Sequence, residues 1–560
     1  MQIFRLRQSP VRFFRRGGIS VLFAWLTVLM LVLALVLTEA GRLSAVRSKQ
    51  ARAGYTAAKN LSAAYNRRLF ERYGLMFYDG GKGQEEVRKT AVERDFVSAF
   101  MENAGKAAAP FLGSTSATAA LTKTVSATDH GGELFVRSAL AFYKYEGAAS
   151  LLSRIREQLS IFGEGEKTRE QFLPQTEMLP EAFQGHMAGP QNAMAQPLQA
   201  ADLRYFKIPQ EATDRGCFRI PPEVLLAGDP EGPGAADPGD VEDETADPEG
   251  AEEPYDPAVL EEKLSESVIG EKKRTEAKGV LGIVLPEGRM LSAYTFSKQG
   301  LPSREFGSEA LPSEGLLKET LKKIVFNEYL LDHFPCFTET SPRTDVQYEL
   351  EYVLYGEPSD TENLKTVVNR LMWMREGMNL LYLATDSEKR GKAEELAETL
   401  AGWTGEAAAV LVPIITAAIL AAWAYGESLA DVRQLLSGDR VPMMKDKDSW
   451  STSLDGLQDI LQGKMSGGDG GGSGLSYRDY LRLLLFLGNG GRHTAYAMDM
   501  IQLNMRETAP GFTLRSQLYA MEFHVEAAAG PLFTDLPLVR NLLGQQGFRK
   551  KEEYYFSASY

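Results

Sequence analysis

The sequence predicts an α+β protein with a single amino-terminal membrane-spanning helix. An uncharged apolar run covers residues 19–37, and several later segments carry the 3.6-residue period of amphipathic helices. Segments with alternating apolar side chains return near the carboxyl end. We therefore expect a transmembrane helix with an amphipathic stalk, a mostly helical first lobe, and a second lobe of long helices with a mainly antiparallel sheet.

Composition limits the kinds of partner. The chain has 560 residues, which suffices for two or three domains, and its net charge of −14 argues against binding to nucleic acid. Cys217 and Cys336 are the only cysteines, too few for a disulfide scaffold and not in a zinc or redox pattern. They can pair in an oxidising compartment or remain reduced and buried.

The apolar run has the length of a bilayer span. Only Ser20 and Thr27 are polar within residues 19–37, and a helix of this length, with its flanks, covers a hydrocarbon core of roughly 30 Å. The alternative is a cleaved signal, with a cut near Thr38, but the apolar regions of signals usually span only about 7 to 15 residues. We expect a retained anchor.

Charge on either side of the run predicts its direction. Five arginines precede it without any acidic residue, at Arg5, Arg7, Arg12, Arg15 and Arg16. Such residues keep the amino terminus in the cytoplasm and place the rest of the chain outside. Basic residues also follow the run, at Arg42, Arg47, Lys49 and Arg52, so the bias is smaller than the tail alone suggests.

Helical periodicity continues beyond the run and predicts one helix from about Ile19 to Arg72. Its apolar stripe consists of Leu43, Val46, Ala53, Ala57, Leu61, Ala64 and Leu69. This stripe can pack on the protein's own domain or on neighbouring subunits. The predicted divisions are a cytoplasmic tail (1–18), a transmembrane helix (19–37), a stalk (38–80), a mostly helical lobe (81–227), an acidic linker (228–257) and an α+β extracytoplasmic domain (258–560).

Within these divisions the sequence predicts individual elements. Ala117–Ser126 reads as a strand and Glu133–Phe162 as a helix, whereas residues 228–257 contain acidic residues, proline and glycine without any basic residue. That composition is typical of a flexible linker. Residues 519–525 and 554–560 alternate as strands.

The middle of the second lobe is predicted as a strand followed by a helix. Val346, Tyr348, Leu350, Tyr352 and Leu354 alternate with more polar residues, which would put Glu349 and Glu351 on the solvent face of that strand. Ser359 and Glu362 fit a capping box before the helix in residues 361–385.

A second apolar run occupies Ala407–Tyr425. It is uncharged over bilayer length, but eight of its residues are alanine and it contains Pro413. We interpret it as a helix buried in a large domain rather than a second span.

The sequence contains no motif that identifies catalytic, cofactor-binding or metal-binding residues, and we predict no cofactor. None of the histidines lies in a metal signature: His130, His186, His333, His493 and His524. Gly467–Gly474 lacks the Lys-Ser/Thr of a phosphate loop, and Asp446, Asp448 and Asp455 do not fit an EF-hand loop. Common hydrolase motifs are also absent from the sequence.

The anchor resembles that of TadE/TadG-like minor pilins of Tad-type pilus systems. The resemblance rests on Arg16-Gly17 before the span and on an E-x-G-R pattern after it, formed by Glu39, Gly41 and Arg42. Those pilins usually carry a glutamate at the fifth residue after the processing glycine, where this chain has Leu22 or Phe23. The difference favours a permanent anchor over a processed one.

Nearly the whole chain is also similar to a family of uncharacterised membrane-anchored proteins of Gram-positive bacteria, classed as a domain of unknown function. The carrying stretches are Tyr65–Asp79, Asn327–Phe334, Tyr348–Gly356, Asn363–Glu376, Ala421–Arg433 and Tyr477–Leu487. The resemblance implies no activity, because that family has none assigned.

From these observations we expect a non-enzymatic, membrane-anchored extracytoplasmic protein. Its expected partners are the membrane and, through the stalk helix, pilus or assembly-platform proteins of a Tad-type system, without nucleic acid. The alternatives are a tethered extracytoplasmic enzyme, such as a cell-wall hydrolase, and a binding module for a wall polymer or another ligand.

Overall fold

A computed structural model describes residues 17–105, 111–146, 257–305, 316–339, 346–464, 474–543 and 550–560. The strands are β1 (Tyr78–Asp79), β2 (Ser116–Ser126), β3 (Gln517–Ala529) and β4 (Lys550–Ser559). The helices before the long gap are α1 (Gly17–Ala63), α2 (Arg67–Tyr73), α3 (Lys89–Ala104) and α4 (Glu133–Glu146). After the gap follow α5 (Pro257–Glu266), α6 (Val268–Lys278), α7 (Leu281–Val284), α8 (Pro302–Glu305), α9 (Leu316–His333), α10 (Glu349–Tyr355), α11 (Asp360–Thr385), α12 (Ser387–Ala401), α13 (Ala408–Ser437), α14 (Leu457–Leu461), α15 (Tyr477–Leu487), α16 (Gly490–Arg506) and α17 (Pro537–Leu543).

The chain forms two compact units, and one is inserted in the sequence of the other. The first unit comprises Met1–Ser138 and Gln502–Tyr560, and the second comprises Ala139–Ile501. The predicted division kept residues 258–560 together, whereas the contacts group the last two strands with the amino-terminal residues. The α+β class is confirmed, with a mostly helical chain and a small antiparallel sheet.

β3 is the central strand of the sheet in the first unit. β2 pairs with β3 on one side and β4 on the other, while short β1 pairs with the beginning of β3, and all pairs are antiparallel. Leu121, Phe523 and Phe556 lie opposite one another in a row across the three long strands. The predicted strands at 117–126, 519–525 and 554–560 are therefore confirmed, and the two carboxyl-terminal strands join a strand that lies about 400 residues earlier in the sequence.

α1 and α3 cover the apolar face of this sheet. Ala53, Ala57 and Leu61 of α1 are buried in one cluster with the inward-facing residues of α3 and the strands. The ring of Phe96 stacks on that of Phe523, with centroids 4.3 Å apart. The apolar stripe of the stalk thus packs on its own domain from Ala53 to Leu61, in agreement with the simpler of the two predicted alternatives.

The predicted continuous helix to Arg72 is wrong, because α1 ends at Ala63. Tyr65 forms a β-bridge with Tyr78, and the backbone N–H of Asn66 donates to the carbonyl of Phe77 at 2.7 Å. The side chain of Asn66 then caps α2 by accepting a hydrogen bond from the N–H of Leu69. These local bonds offer the backbone an alternative to further α-helix.

The second unit is a helical assembly around α11 and α13, which pack on each other and on α12. α13 contains the second apolar run and begins at Ala408. Half of its most apolar window is buried within the protein, as in the core helix of a soluble domain, although its length and composition alone would allow it to cross a membrane.

The predicted strand at residues 346–354 is wrong, because this segment contains helix α10. Its apolar residues also fit a helical spacing, at Leu350, Val353 and Leu354, and Gly356 ends the helix in the left-handed conformation with φ of 70°. Alternation of residues does not distinguish a strand from a helix here, because Glu349–Leu354 are all buried and the element has no exposed face. Glu349 and Glu351, which we expected on a solvent face, are both buried.

The helix predicted to follow is present as α11, but its capping box is not. Ser359 is the N-cap residue, yet its side chain makes no capping hydrogen bond. The side-chain amide of Asn363 stabilises this turn instead. Its oxygen accepts a hydrogen bond from the N–H of Glu357, and its nitrogen donates to the carbonyls of Glu357 and Ser359.

Several predicted features fall on residues that the structure does not describe. They include the acidic linker up to residue 256, Cys217, His186, residues 147–162 of the predicted helix from Glu133, and the glycine-rich loop up to residue 473. α4 begins at Glu133, as predicted.

Candidate membrane anchor and buried charge clusters

The amino-terminal part of α1 exposes apolar side chains on all its sides. Ile19, Trp25, Leu29 and Leu37 have between 64% and 68% of their surface exposed, and only 6% of the most apolar window is buried. Contiguous apolar surface of this extent is rare on monomeric soluble proteins and is typical of a surface that contacts a membrane or another protein. The helix is long and apolar enough to cross a membrane.

The threonine hydroxyls in this part of α1 form hydrogen bonds within the helix and do not need water as a partner. The hydroxyl of Thr27 donates within the helix, with the carbonyls of Phe23 and Ala24 each 2.9 Å away. The hydroxyl of Thr38 donates to the carbonyl of Ala34 at 2.8 Å. Internal hydrogen bonding of this kind is what a hydrocarbon environment requires.

A pair of charged residues fastens α1 to the rest of the first unit just after the apolar run. Arg42 and Glu39 form an ion pair of 2.5 Å, and both side chains are more than 90% buried. The carboxylate of Glu39 also accepts from the backbone N–H groups of Leu532 and Phe533, at 3.3 and 2.9 Å. We call this pair, with the loop residues that it binds, the clamp.

Arg42 completes the clamp through two backbone carbonyls. Its guanidinium donates to Phe111 at 3.0 Å and to Gly530 at 2.6 Å. The carbonyl of Gly530 directly follows β3, so the clamp connects the helix with both the loop before β2 and the loop after β3. Two residues of the E-x-G-R pattern therefore make specific contacts, whereas Gly41 has no atom within 4 Å of the position that a Cβ would occupy.

A second charge cluster lies in the core between α11 and α13. Arg375 forms an ion pair of 2.8 Å with Asp431, and Lys445 lies 2.8 Å from both Asp431 and Glu427. All four side chains are at least 98% buried, and two positive charges balance two negative ones. Burial raises the pKa of Asp431, but the charges of Arg375 and Lys445 outweigh this effect and keep the pKa below its ordinary value.

This cluster also organises a loop. Glu427 accepts hydrogen bonds from the N–H groups of Ser451 and Thr452, and Arg375 donates to the carbonyls of Pro442 and Met443. With charges paired and backbone groups bound, the arrangement is that of a structural network rather than of a reactive site.

A buried carboxyl with an unusual pKa lies next to Cys336. Glu351 accepts at one oxygen from the hydroxyl of Tyr477 and from the N–H of Phe337, both at 2.8 Å. Burial raises the pKa of Glu351 to about 7, although these hydrogen bonds oppose the change. Burial likewise raises the pKa of the Cys336 thiol to about 12, so the thiol remains protonated at neutral pH and is a weak nucleophile.

A half-buried lysine lies beside a carboxylate in the same unit. The ammonium group of Lys298 lies 5.0 Å from the ring centroid of Tyr496 and 5.6 Å from that of Tyr352, whose hydroxyl donates to Asp499 at 2.8 Å. Asp499 also accepts from the N–H of Ser303 at 2.8 Å. Burial lowers the pKa of Lys298 and raises that of Asp499. Perturbed groups that converge in this way occur in functional sites.

The described histidines are dispersed. His130 is exposed, His333 stacks on the ring of Tyr329 at 4.2 Å, and His524 lies 3.5 Å from Glu553 on the sheet. His493 is buried, and this burial, together with nearby Lys323 and Arg492, lowers its pKa to about 3.

No group of three potential metal ligands occurs among the described residues. Asp446, one of the acidic residues considered for calcium, accepts hydrogen bonds from the N–H and hydroxyl of Ser449. The structure therefore brings together residues that the sequence did not single out. Lys298, Tyr352 and Asp499 lie far apart in the sequence, and no spacing rule connects them.

Comparison with known families gives one match. Residues 259–529 match the model of a family of unknown function, DUF5702. The match contains five of the six stretches quoted above for the resemblance, and Tyr65–Asp79 lies outside it. It also ends at Ala529, the last residue of β3, and thus includes the central strand of the first unit. Neither the curated proteins nor the solved structures yield a match.

Proposed function

We propose that this protein is a single-pass membrane protein whose amino terminus lies in the cytoplasm and whose chain after residues 19–37 lies outside it. The exposed apolar surface of α1 carries the proposal, because that surface would be unstable in water. The five arginines before the span support the direction. Of the basic residues that follow it, Arg42 is bound in the clamp and Arg47 pairs with Glu552 at 2.7 Å.

Single-cysteine labelling in intact cells tests the direction. In a Cys217→Ser/Cys336→Ala background, Tyr555→Cys should react with a membrane-impermeant maleimide in intact cells, and Gln8→Cys only after permeabilisation. Tyr555 suits this purpose because its side chain is 76% exposed. The reverse labelling pattern would refute the orientation, and release of the protein by alkaline carbonate would refute the span.

We further propose a structural or accessory role in a Tad-type assembly, without catalysis. The E-x-G-R pattern supports the assembly, and the balanced charges of the buried cluster support a structural role. Since the stripe from Ala53 to Leu61 is used within the first unit, contact with other subunits would fall on residues 19–37.

Photocrosslinking from Leu22 and Leu29 should capture pilus or platform proteins, whereas crosslinking from Tyr555 should not. A monomer without such partners would contradict this role.

The cluster of Lys298, Tyr352, Tyr496 and Asp499 favours a second candidate, a tethered enzyme or ligand-binding module. A lysine with lowered pKa beside two aromatic rings can hold an anionic or sugar-like group. Lys298→Gln should then abolish binding of wall fragments by the full chain, and Lys365→Gln, which alters an exposed lysine of the same unit, should not. Equal binding by both variants would exclude this site.

A further inference from the structure

The clamp fixes the position of two loops relative to the apolar span. Glu39 lies two residues after Leu37, the end of the apolar run, which corresponds to about 3 Å along a helix. Hydrogen bonds of Glu39 and Arg42 hold the backbone of Phe111, Gly530 and Phe533 at this level. If residues 19–37 cross a bilayer, these loop segments lie at the boundary between its hydrocarbon and headgroup layers.

These two segments expose apolar side chains. Phe111 is 69% exposed, Leu112 36%, Leu532 39% and Leu536 42%, all within six residues of a backbone group that the clamp binds. We call these four residues the collar. Elsewhere in the first unit the apolar residues of α3 and of the inner face of the sheet are buried. Among the described residues of the first unit, the exposed large apolar side chains lie on residues 19–37 and in the collar, apart from Tyr55 and Tyr555.

The segment after β3 has the character of an interfacial element. Residues 530–543 are rich in apolar residues, and they end in α17, where Val539 is fully buried. The exposed polar groups of this segment include the ion pair between Asp535 and Arg540, at 3.8 Å. A segment that exposes both apolar and charged side chains is compatible with a position at a membrane surface, where apolar groups enter the lipid and charged groups stay among the headgroups.

We propose that the collar inserts into the headgroup region of the same membrane that α1 crosses, so that the first unit rests on the lipid surface instead of standing away from it. The inference depends on the proposed span and adds a second, shallow lipid contact. We expect the collar to contact the bilayer, because the clamp holds it beside the end of the span. A neighbouring protein subunit on the collar is the competing outcome.

Spin labels measure the depth of each residue in lipid. The full chain, with Cys217→Ser and Cys336→Ala, is reconstituted in phosphatidylcholine/phosphatidylglycerol vesicles and labelled at Phe111→Cys, Leu532→Cys or Leu536→Cys. Relaxation by oxygen, which partitions into lipid, is compared with relaxation by a water-soluble nickel chelate. We expect the ratio at these positions to shift towards oxygen, relative to labels at Tyr555→Cys and Met290→Cys, which alter exposed residues outside the collar.

A label at Leu29→Cys separates failure of the collar from failure of the span. If Leu29 reports lipid while the collar positions match Tyr555, the collar proposal is refuted and the anchor stands. If Leu29 also reports water, the proposed span itself is refuted. Low accessibility of the collar to both reagents would indicate a protein contact and would refute the lipid proposal.

Introducing a charge into the collar provides a second, independent test of the proposal. Leu536→Asp should shift the ratio at the Phe111 label towards the nickel chelate, because a carboxylate is disfavoured at the boundary of the hydrocarbon layer and would move the collar away from the lipid. Tyr555→Asp, on the exposed face of the sheet, should leave that ratio unchanged. An unchanged ratio in the Leu536→Asp variant would count against the proposal.

Discussion

Glu39 is the residue on which the attachment of α1 to the loop after β3 depends most directly. It lies at the beginning of the stalk, two residues after the apolar run, and it is only 3% exposed although the polar residues Thr38 and Arg42 lie near it in the sequence. Its bonds to Leu532 and Phe533 bridge almost 500 residues of sequence. No periodicity predicts such a contact, since the partner groups are backbone amides of a loop.

Replacement of Glu39 by alanine should open the clamp. Arg42 and two backbone N–H groups would lose a buried partner, and removal of one member of a buried ion pair typically costs about 3 kcal/mol or more. Amide hydrogen exchange at residues 532 and 533 in detergent micelles should then become about 100-fold faster.

The control is Glu71→Ala. Glu71 pairs with Arg67 at the surface, where the two side chains are 61% and 84% exposed, and such a pair contributes about 0.5 kcal/mol or less. Equal exchange rates in both variants would show that the clamp does not hold the loop.

Glu351 should make the stability of the second unit depend on pH. Its pKa of about 7 in the folded protein exceeds the value of 4.5 expected in the unfolded chain, because burial disfavours the charged form. The folded state therefore binds this proton more tightly. The contribution is fully present below about pH 4.5 and is lost as pH rises through 7, a change of about 3 kcal/mol in the free energy of unfolding.

Glu351→Gln should remove this dependence. Denaturant unfolding of the full chain at pH 5 and pH 8 should show a smaller loss of stability for the variant than for the wild type. Glu362→Gln changes an exposed carboxyl on α11 and should behave like the wild type. The same loss in all three proteins would mean that Glu351 is charged in the folded state at both pH values.

At the scale of elements, α1 and β4 meet at a glycine. A Cβ on Gly54 would lie 2.0 Å from the ring of Phe556, which itself packs beside the rings of Phe96 and Tyr554. Gly41 in the same helix has nothing within 4 Å. The two glycines thus provide a matched pair, one at a close contact and one in open space.

Alanine at these two positions should have opposite effects. Gly54→Ala should destabilise the first unit by about 1 to 3 kcal/mol through steric overlap, whereas Gly41→Ala should stabilise it by up to about 1 kcal/mol through helix propensity. Thermal unfolding in detergent micelles measures both. Phe556→Val should rescue Gly54→Ala; failure of the rescue, or equal effects of the two alanines, would contradict this packing.

The elements differ in how far the sequence predicts them. α11 and strands β2, β3 and β4 follow from the period of their apolar residues, whereas the amino-terminal part of α1 follows from the length and uncharged composition of residues 19–37. The alternation in residues 346–354 wrongly predicts a strand, because Glu349–Leu354 of α10 are all buried and their sequence fits both alternation and helical spacing. The left-handed Gly356 was the available signal for a helix end. The partners of the clamp and of Lys298 depend on tertiary contacts, which no local pattern encodes.

For the whole molecule, the main feature is that both ends of the chain build the first unit. β4 consists of almost the last residues of the chain and packs against α1 as well as β3. The second unit is inserted between Ser138 and Gln502. Integrity of the anchor's domain therefore depends on a strand about 500 residues away in sequence.

Deletion of residues 550–560 should expose α1 outside the span. Loss of β4 removes Phe556 from Gly54 and Glu552 from Arg47, so trypsin should cleave the truncated chain in micelles after Arg47, Lys49 or Lys59. The wild type, in which these contacts hold α1, should resist cleavage at the same positions. Tyr555→Ser, which changes only an exposed side chain of the same strand, should remain protected. Protection of the truncated chain would show that α1 is held without β4.

The distance between α1 and its partner strands also has a consequence in time. The anchor is synthesised first, but β3 and β4 leave the ribosome roughly 25 to 100 s later at ordinary elongation rates. During that interval Ala57 and Leu61 have no sheet to cover them. If α1 spans a membrane as proposed, the nascent chain carries a bare apolar stripe at the membrane surface, and whatever shields that stripe until β4 has been synthesised decides whether the domain closes correctly.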